Sequence, residues 1–421
     1  MQIQRALSAI ALAAAAVVNI GCSGADAADN VGPDTVLLQQ SRAQQPGAIN
    51  TLRDLVNIET GTGDAEGMAQ IVAYLSERLT ALGGQVERHP PAVNTVVGDN
   101  IVARFRGSGT KNILVMGHMD TVYPRGTLKT MPFRIDGNRA YGPGILDMKG
   151  GIAIVLHAIE MLNARGFKDY GSITVFFNSD EEKGSFGSRD LIQTIAAQSD
   201  YVISLESTGR DITFLPKASG INYIQVDFKG RAAHVAQASA GVNALVEASD
   251  FVMRTLDINN PAAEIGFNWT VIKGGTPGIT NAIPDAVTLN GDLRVGLNQQ
   301  VDEVDHLLRV RAQSPRISGS EISVGVTRGR PAYNANEGGM DMIQRMIRYY
   351  KELGIDATFS NTRIQGGSDA AYAALSGKPV LENAGLQGNG AHNSGAEYVY
   401  LDRVAETIYA NARLIMSLSR P

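Results

Sequence analysis

A single cysteine, Cys22, stands in 421 residues, so no disulfide can form within one chain. Positive charge is not in excess either. The 37 lysines and arginines face 42 aspartates and glutamates, for a net charge of -5 and a pI near 5.8. No basic stripe runs along the chain, which argues against a nucleic-acid partner. Internal repeats and low-complexity tracts are missing. Apolar residues make up 44% and charged residues 19%, the balance of a soluble globular protein rather than a disordered or fibrous one. The apolar run from Ala6 to Val18 is too short to span a bilayer as a helix. Behind Arg5 it suits the hydrophobic core of an export signal, so a signal peptide over residues 1–27 is expected. Cleavage at Ala25-Asp26-Ala27 would give a soluble periplasmic or secreted protein. Acylation of Cys22 would instead give a membrane-anchored lipoprotein.

What the chain does have is alternation. Its length exceeds one ordinary core, so two domains are the prior. Residues 28–45 are polar and aperiodic and read as a tether. From there to 218, helix and strand signals take turns. Met68 to Gly83 has helical spacing and a glycine stop. "GGIAIVLHAIEMLNARG" places Ile152, Val155, Leu156, Ile159 and Leu162 on one helical face. "NILVM", "SITVFF" and "YVISLE" are near-continuous apolar strands. That texture implies an α/β fold with a mostly parallel sheet and helices on both faces. From 219 to 330 it changes. "GINYIQVDFKG", "AVTLNGDLRVG" and "EISVGVTRG" alternate with period two, as antiparallel strands with one wet face do, and two helical segments lie among them. This is a compact α+β insert. The α/β texture resumes over 331–421.

Histidine is scarce, six in all, which makes one at a strand end conspicuous. "GHMD" puts His118 and Asp120 just after "NILVM". Asp147 sits in the glycine-rich "YGPGILDMKGG" before a helix. Glu181 and Glu182 follow "SITVFF", and Glu206 ends "YVISLE". His392 lies in the loop "GNGAHNSGAEY". Sites in open α/β sheets gather at the carboxyl ends of the strands. Each group has a plain alternative: a capped turn at His118, a solvated Glu-Glu pair, a helix cap at Asp147, a surface charge at Glu206. Together they would crowd four carboxylates onto one sheet end, where repulsion and desolvation are costly. Divalent metal would relieve that cost. Two histidines and three carboxylates form the nitrogen and oxygen donor set expected for zinc. One aspartate in a rigid turn can bridge two ions, and one of the paired glutamates is left as a base. His89, His157 and His306 lie outside every motif and read as structural or exposed, with His157 on its helix surface.

Taken together, "MGHMDTV", "GPGILDMKGG", "DEEKGSFGS", "LES", "AAH", "TNAIPDAVTLNGDLR", "GGSDAAY" and "AHNSGAEY" resemble the di-zinc peptidase family of glutamate carboxypeptidases and aminoacylases. "GVNALVEASDFVMRT", "FNWT" and "SDAAYAALSGKPV" look most like its periplasmic, folate-cleaving glutamate carboxypeptidases. The resemblance implies a zinc-exopeptidase-like fold whose insert is a lid and dimerisation domain, a four-stranded antiparallel sheet with two helices. It implies two zinc ions per chain, held by His118, Asp147, Glu182, Glu206 and His392, with Asp147 bridging. Glu181 would be the general base, and Asp120 would orient the His118 ring. His234 would reach the partner's site in a homodimer and stabilise the oxyanion. Asn281, Arg294, Arg330, Gly366, Gly367 and Ser368 would contact substrate, Arg294 clamping a carboxylate. Val235 departs from the small residue usual after the lid histidine. The implied reaction is hydrolysis of the amide to a C-terminal amino acid, glutamate first among the choices. An aminoacylase-type amidohydrolase and an exported non-catalytic binding protein are the alternatives.

Overall fold

The computed structural model describes residues 32–393 and 395–420. The export signal, Cys22 and the start of the expected tether lie outside them. From Thr35 the tether reading is corrected: Thr35–Val56 is a helix of 22 residues. Asp34 caps it, its carboxylate accepting from the Leu37 amide. Leu37, Ser41, Ala48, Leu52 and Leu55 recur at helical spacing and are buried. The glutamines and Arg42 between them thin the apolar stripe, and Pro46 inside the helix is a further disguise.

This helix packs on the helices Gly150–Ala164 and Val404–Leu418. It therefore covers His157, which is buried and not on the surface. The His157 ring meets Thr51 Oγ1 at 2.9 Å and Gln44 Oε1 at 2.7 Å, both partners lying on the N-terminal helix. Of the 15 residues of Gly150–Ala164, 12 are buried, so the helix has almost no outer face to read.

The central sheet has six strands. Across it run Gln85–His89, Asn100–Arg106, Ser172–Asn178, Asn112–His118, Tyr201–Ser204 and Val380–Leu381. The last four are mutually parallel, and Asn100–Arg106 pairs antiparallel with its neighbour on each side. Ile113 and Val115 enter one core, Leu114 and Met116 the other. A strand buried on both faces is apolar throughout, as "NILVM" is.

Lys217–Ala218 pairs with Tyr333–Asn334 where the chain leaves and re-enters this domain. Between them lies a separate antiparallel sheet in the order Ile265–Gly274, Ala286–Val295, Gly220–Lys229, Glu321–Arg328. Helices Ala244–Met253 and Gln300–Ala312 share its core. Ile265–Gly274 shows no clean alternation because it is an edge strand, largely exposed and bulged between Trp269 and Val271. No described helix is long and apolar enough to cross a membrane.

If the N-terminal helix belongs to the core, Leu55→Ala should cost about 2–5 kcal/mol in urea unfolding. Val36→Ala, on the exposed face of the same helix, should stay within about 0.5 kcal/mol. Equal effects would restore the tether reading.

Candidate metal centre

Five of the expected residues meet at the carboxyl ends of the parallel strands. His118 Nε2 lies 3.0 Å from Asp147 Oδ1, and His392 Nε2 lies 2.9 Å from Asp147 Oδ2. Each oxygen of Asp147 thus faces one histidine. Glu206 Oε1 is 3.7 Å from His118 Nε2, and Glu182 Oε2 is 3.5 Å from His392 Nε2. The cluster divides into two halves that share Asp147. Donor atoms of His118, Asp147 and Glu182 fall within 4.8 Å of one another.

The scaffold behind Asp147 was not read from the sequence. Glu397 is fully buried, and its carboxylate accepts from the amides of Gly144 at 3.2 Å, Leu146 at 2.8 Å and Asp147 at 3.1 Å. It closes the Asp147 turn from beneath. The signal was in "AHNSGAEY", beside His392, but only tertiary contact reveals what the acid holds.

Asp120 does its work differently from the expectation. The His118 Nδ1 hydrogen bond goes to the Asp120 main-chain carbonyl at 2.9 Å, while carboxylate Oδ1 stands at 3.5 Å. The Asp120 carboxylate instead accepts from the amides of Glu181 at 3.1 Å and Glu182 at 3.2 Å, and from Thr62 Oγ1 at 2.7 Å. One residue therefore fixes both the imidazole and the turn carrying the paired glutamates. A second network supports that turn. Asp369 accepts from Asn178 Nδ2 at 2.6 Å and from the Ser185 hydroxyl, and Asp180 accepts from Ser188 Oγ at 2.6 Å. All five residues are buried. None was singled out from the sequence, because small polar residues near a loop usually face water.

Glu181 Oε1 lies 2.9 Å from Arg330 Nη2. The same guanidinium donates to the carbonyls of Glu181 and Gly367. Gly366, Gly367 and Ser368 line the cavity with these groups, about 510 Å³ in volume. Ile221, Tyr223 and Ile364 form its apolar wall.

Three expected residues are not brought here. His234 and Asn281 sit side by side on the insert, both exposed, with the Val235 amide donating to the Asn281 carbonyl at 3.0 Å. Neither lines the cavity. Arg294 is no free clamp: Asp292 takes its Nε at 2.7 Å and Nη2 at 2.9 Å, and the Gln365 carbonyl takes Nη1 at 2.8 Å. His89 and His306 stay outside the site.

Electrostatics shows what the cluster lacks. Burial pushes the Glu181 carboxyl up to about 8 and the Glu182 carboxyl up to about 7. Burial and the nearby Asp147 push Glu206 well above its usual value. Burial works against charge on Asp147 too, yet its bonds to His118 and His392 hold it below the carboxylate range. His392 is raised to about 9 by its bond to Asp147. Burial thus disfavours several negative charges that the donor set brings together. Glu182 Oε1 is buried with no hydrogen-bond partner among the described residues. A buried, unpaired oxygen in an all nitrogen and oxygen donor set fits a divalent metal.

Residues 114–417 match the family model for peptidase family M20/M25/M40. The chain belongs to that family. It is 50% identical over 387 residues to carboxypeptidase G2 of Pseudomonas sp. (strain RS-16), covering 91% of this chain and 92% of that protein. In structure it is similar to aminopeptidase PepT of Bacillus cereus, with a TM-score of 0.74 and 22% identity over 89% of this chain and 99% of that one. It is also similar to the Bacillus subtilis YXEP protein, described as a dinuclear metal binding peptidase, with a TM-score of 0.63 and 15% identity over 89% and 99% of the two chains. These two structures support the fold. The chain is a metal-dependent hydrolase of this family.

Two predictions follow from the charge pattern. Carboxyls and imidazoles with raised pKa bind more protons folded than unfolded, so each loses stabilising effect as pH rises through its folded value. Glu182 at about 7, Glu181 at about 8 and His392 at about 9 all act in the same direction. The metal-stripped protein should therefore melt at lower temperature as pH rises from about 6 to about 9, and added metal should flatten that slope. A stripped protein that gains stability over this range would contradict the assignment. Glu397→Gln should weaken metal binding by about 10–100-fold in a competition titration, through the Asp147 turn. Unchanged affinity would remove that role.

Proposed function

We propose that the chain is a zinc-dependent carboxypeptidase releasing C-terminal glutamate from N-acyl or peptidyl, folate-like substrates. The observation that carries this is Asp147, flanked by two histidine–carboxylate halves with Glu181 alongside. Half-identity with carboxypeptidase G2 along nearly the whole chain supports the choice of bond. His118, Asp147 and Glu206 would hold one zinc, and Asp147, Glu182 and His392 the second. Bound there, zinc supplies Lewis-acid polarisation of the scissile carbonyl and of water.

The protein's own part is proton transfer and placement. Glu181 takes a proton from water as the water oxygen bonds to the carbonyl carbon. It passes that proton to the amide nitrogen as the carbon–nitrogen bond breaks, leaving an acid and a free amine. Burial raises this carboxyl while Arg330 draws it back, which suits a base near neutral pH. Arg330, Gly367 and Ser368 form the wall where the substrate's terminal carboxylate would sit. His234 and Asn281, exposed and not lining their own cavity, would suit action in a partner's site, His234 donating to the oxyanion. The insert would be the dimer surface: Val271 and Ile272 on its edge strand are exposed at 40% and 51%. Arg294 would have to leave Asp292 to bind substrate. Export to the periplasm, or anchoring at Cys22, completes the reading.

Glu181→Gln should lower hydrolysis by about 10²–10⁴-fold with metal content unchanged. An active Glu181→Gln protein free of contaminating peptidase would remove the base assignment. An assay with N-acyl amino acids, dipeptides and a folate separates the aminoacylase alternative by which acyl group is cleaved. Mixing Glu181→Gln with His234→Ala subunits should restore activity, since some hybrid sites regain both residues. No recovery after subunit exchange would contradict the shared site.

A further inference from the structure

Glutamate differs from other C-terminal residues by a second carboxylate. If the chain releases glutamate, something in the cavity must meet that charge. Besides His392, the cavity wall carries two cationic side chains, Arg330 and Lys183. Arg330, its side chain 10% exposed, lies against Glu181 and the Gly367 carbonyl. The α-carboxylate lies one carbon from the scissile nitrogen, so a substrate poised beside Glu181 brings it to Arg330. The γ-carboxylate lies two methylenes further out, towards the mouth. Arg294 is committed to Asp292 and does not line the cavity.

Lys183 stands at that mouth. Its side chain is exposed and forms no ion pair among the described residues. Its backbone is fixed. It ends the short turn Glu181–Lys183, whose first two amides are held by Asp120. The next residue, Gly184, donates to the Glu181 carbonyl at 2.8 Å and accepts from the Tyr372 hydroxyl at 2.9 Å. A free ammonium on a flexible four-carbon stem thus starts from an anchored point next to the base. We infer that Lys183 is the specificity residue of this site, pairing with the γ-carboxylate of the departing glutamate while Arg330 takes the α-carboxylate.

This inference rests on the glutamate-releasing reading, and one experiment separates the two. Steady-state kinetics would compare substrates with the same acyl group and either glutamate or glutamine at the C-terminus. The proteins are wild type, Lys183→Met and Lys183→Gln, zinc-loaded, with metal content and circular dichroism checked. Wild type should prefer glutamate. In both variants KM for the glutamate substrate should rise by about tenfold relative to that for glutamine, with kcat for glutamate little changed, the scale of one charge-assisted hydrogen bond. The wild-type preference should also shrink in high salt, because Lys183 is exposed. A glutamate-to-glutamine ratio within about twofold of wild type in both folded variants would overturn the role of Lys183 and leave the carboxypeptidase reading standing. A wild type that cleaves neither substrate would overturn both.

Discussion

The structure turns on negative charge forced together at one edge of one sheet. Asp147, Glu181, Glu182 and Glu206 line a common cavity, three of them with pKa values raised by burial. In a low-dielectric interior such groups either keep protons or take cations. Most of the surrounding structure serves to hold them there regardless. Glu397 gives its carboxylate to the amides of the Asp147 turn, and Asp120 gives its own to the amides of Glu181 and Glu182. Both supports use backbone donors, which cannot rotate away. Main-chain donors thus hold the site, backed by the side-chain bonds of Asp369 and Asp180 behind the glutamate turn.

Arg330 links this edge to the insert. It lies just after the strand Glu321–Arg328, at the return crossing, and it reaches both Glu181 and the Gly367 carbonyl. The insert also carries His234 and Asn281, which do not line the cavity of the metal donors.

Much of this was legible because strand ends are short and their chemistry is local. His118, Asp147, Glu182 and Glu206 each sit within a few residues of an apolar run, so topology alone gathers them. His392 stood out as a late histidine in a glycine-rich loop, Arg330 only through resemblance, and both lie at the site. The N-terminal helix was hidden by glutamines between its buried positions, and His157 was misread because its cover came from that unseen helix. The edge strand Ile265–Gly274 loses any regular alternation at the bulge between Trp269 and Val271, beyond which its residues are exposed. Glu397, Asp369 and Asp180 act through contacts made across the fold, which spacing cannot show. Resemblance makes Arg294 a carboxylate clamp, yet Asp292 lies two positions away on the same face of its strand, where a salt bridge is natural.

Two cations sharing Asp147 is the claim on which the rest depends. The most direct measurement is anomalous scattering from crystals grown with zinc, recorded on both sides of the zinc absorption edge. Two peaks are expected, one between Asp147, His118 and Glu206, the other between Asp147, His392 and Glu182. A single peak, or zinc bound away from Asp147, would contradict the shared centre and the mechanism built on it.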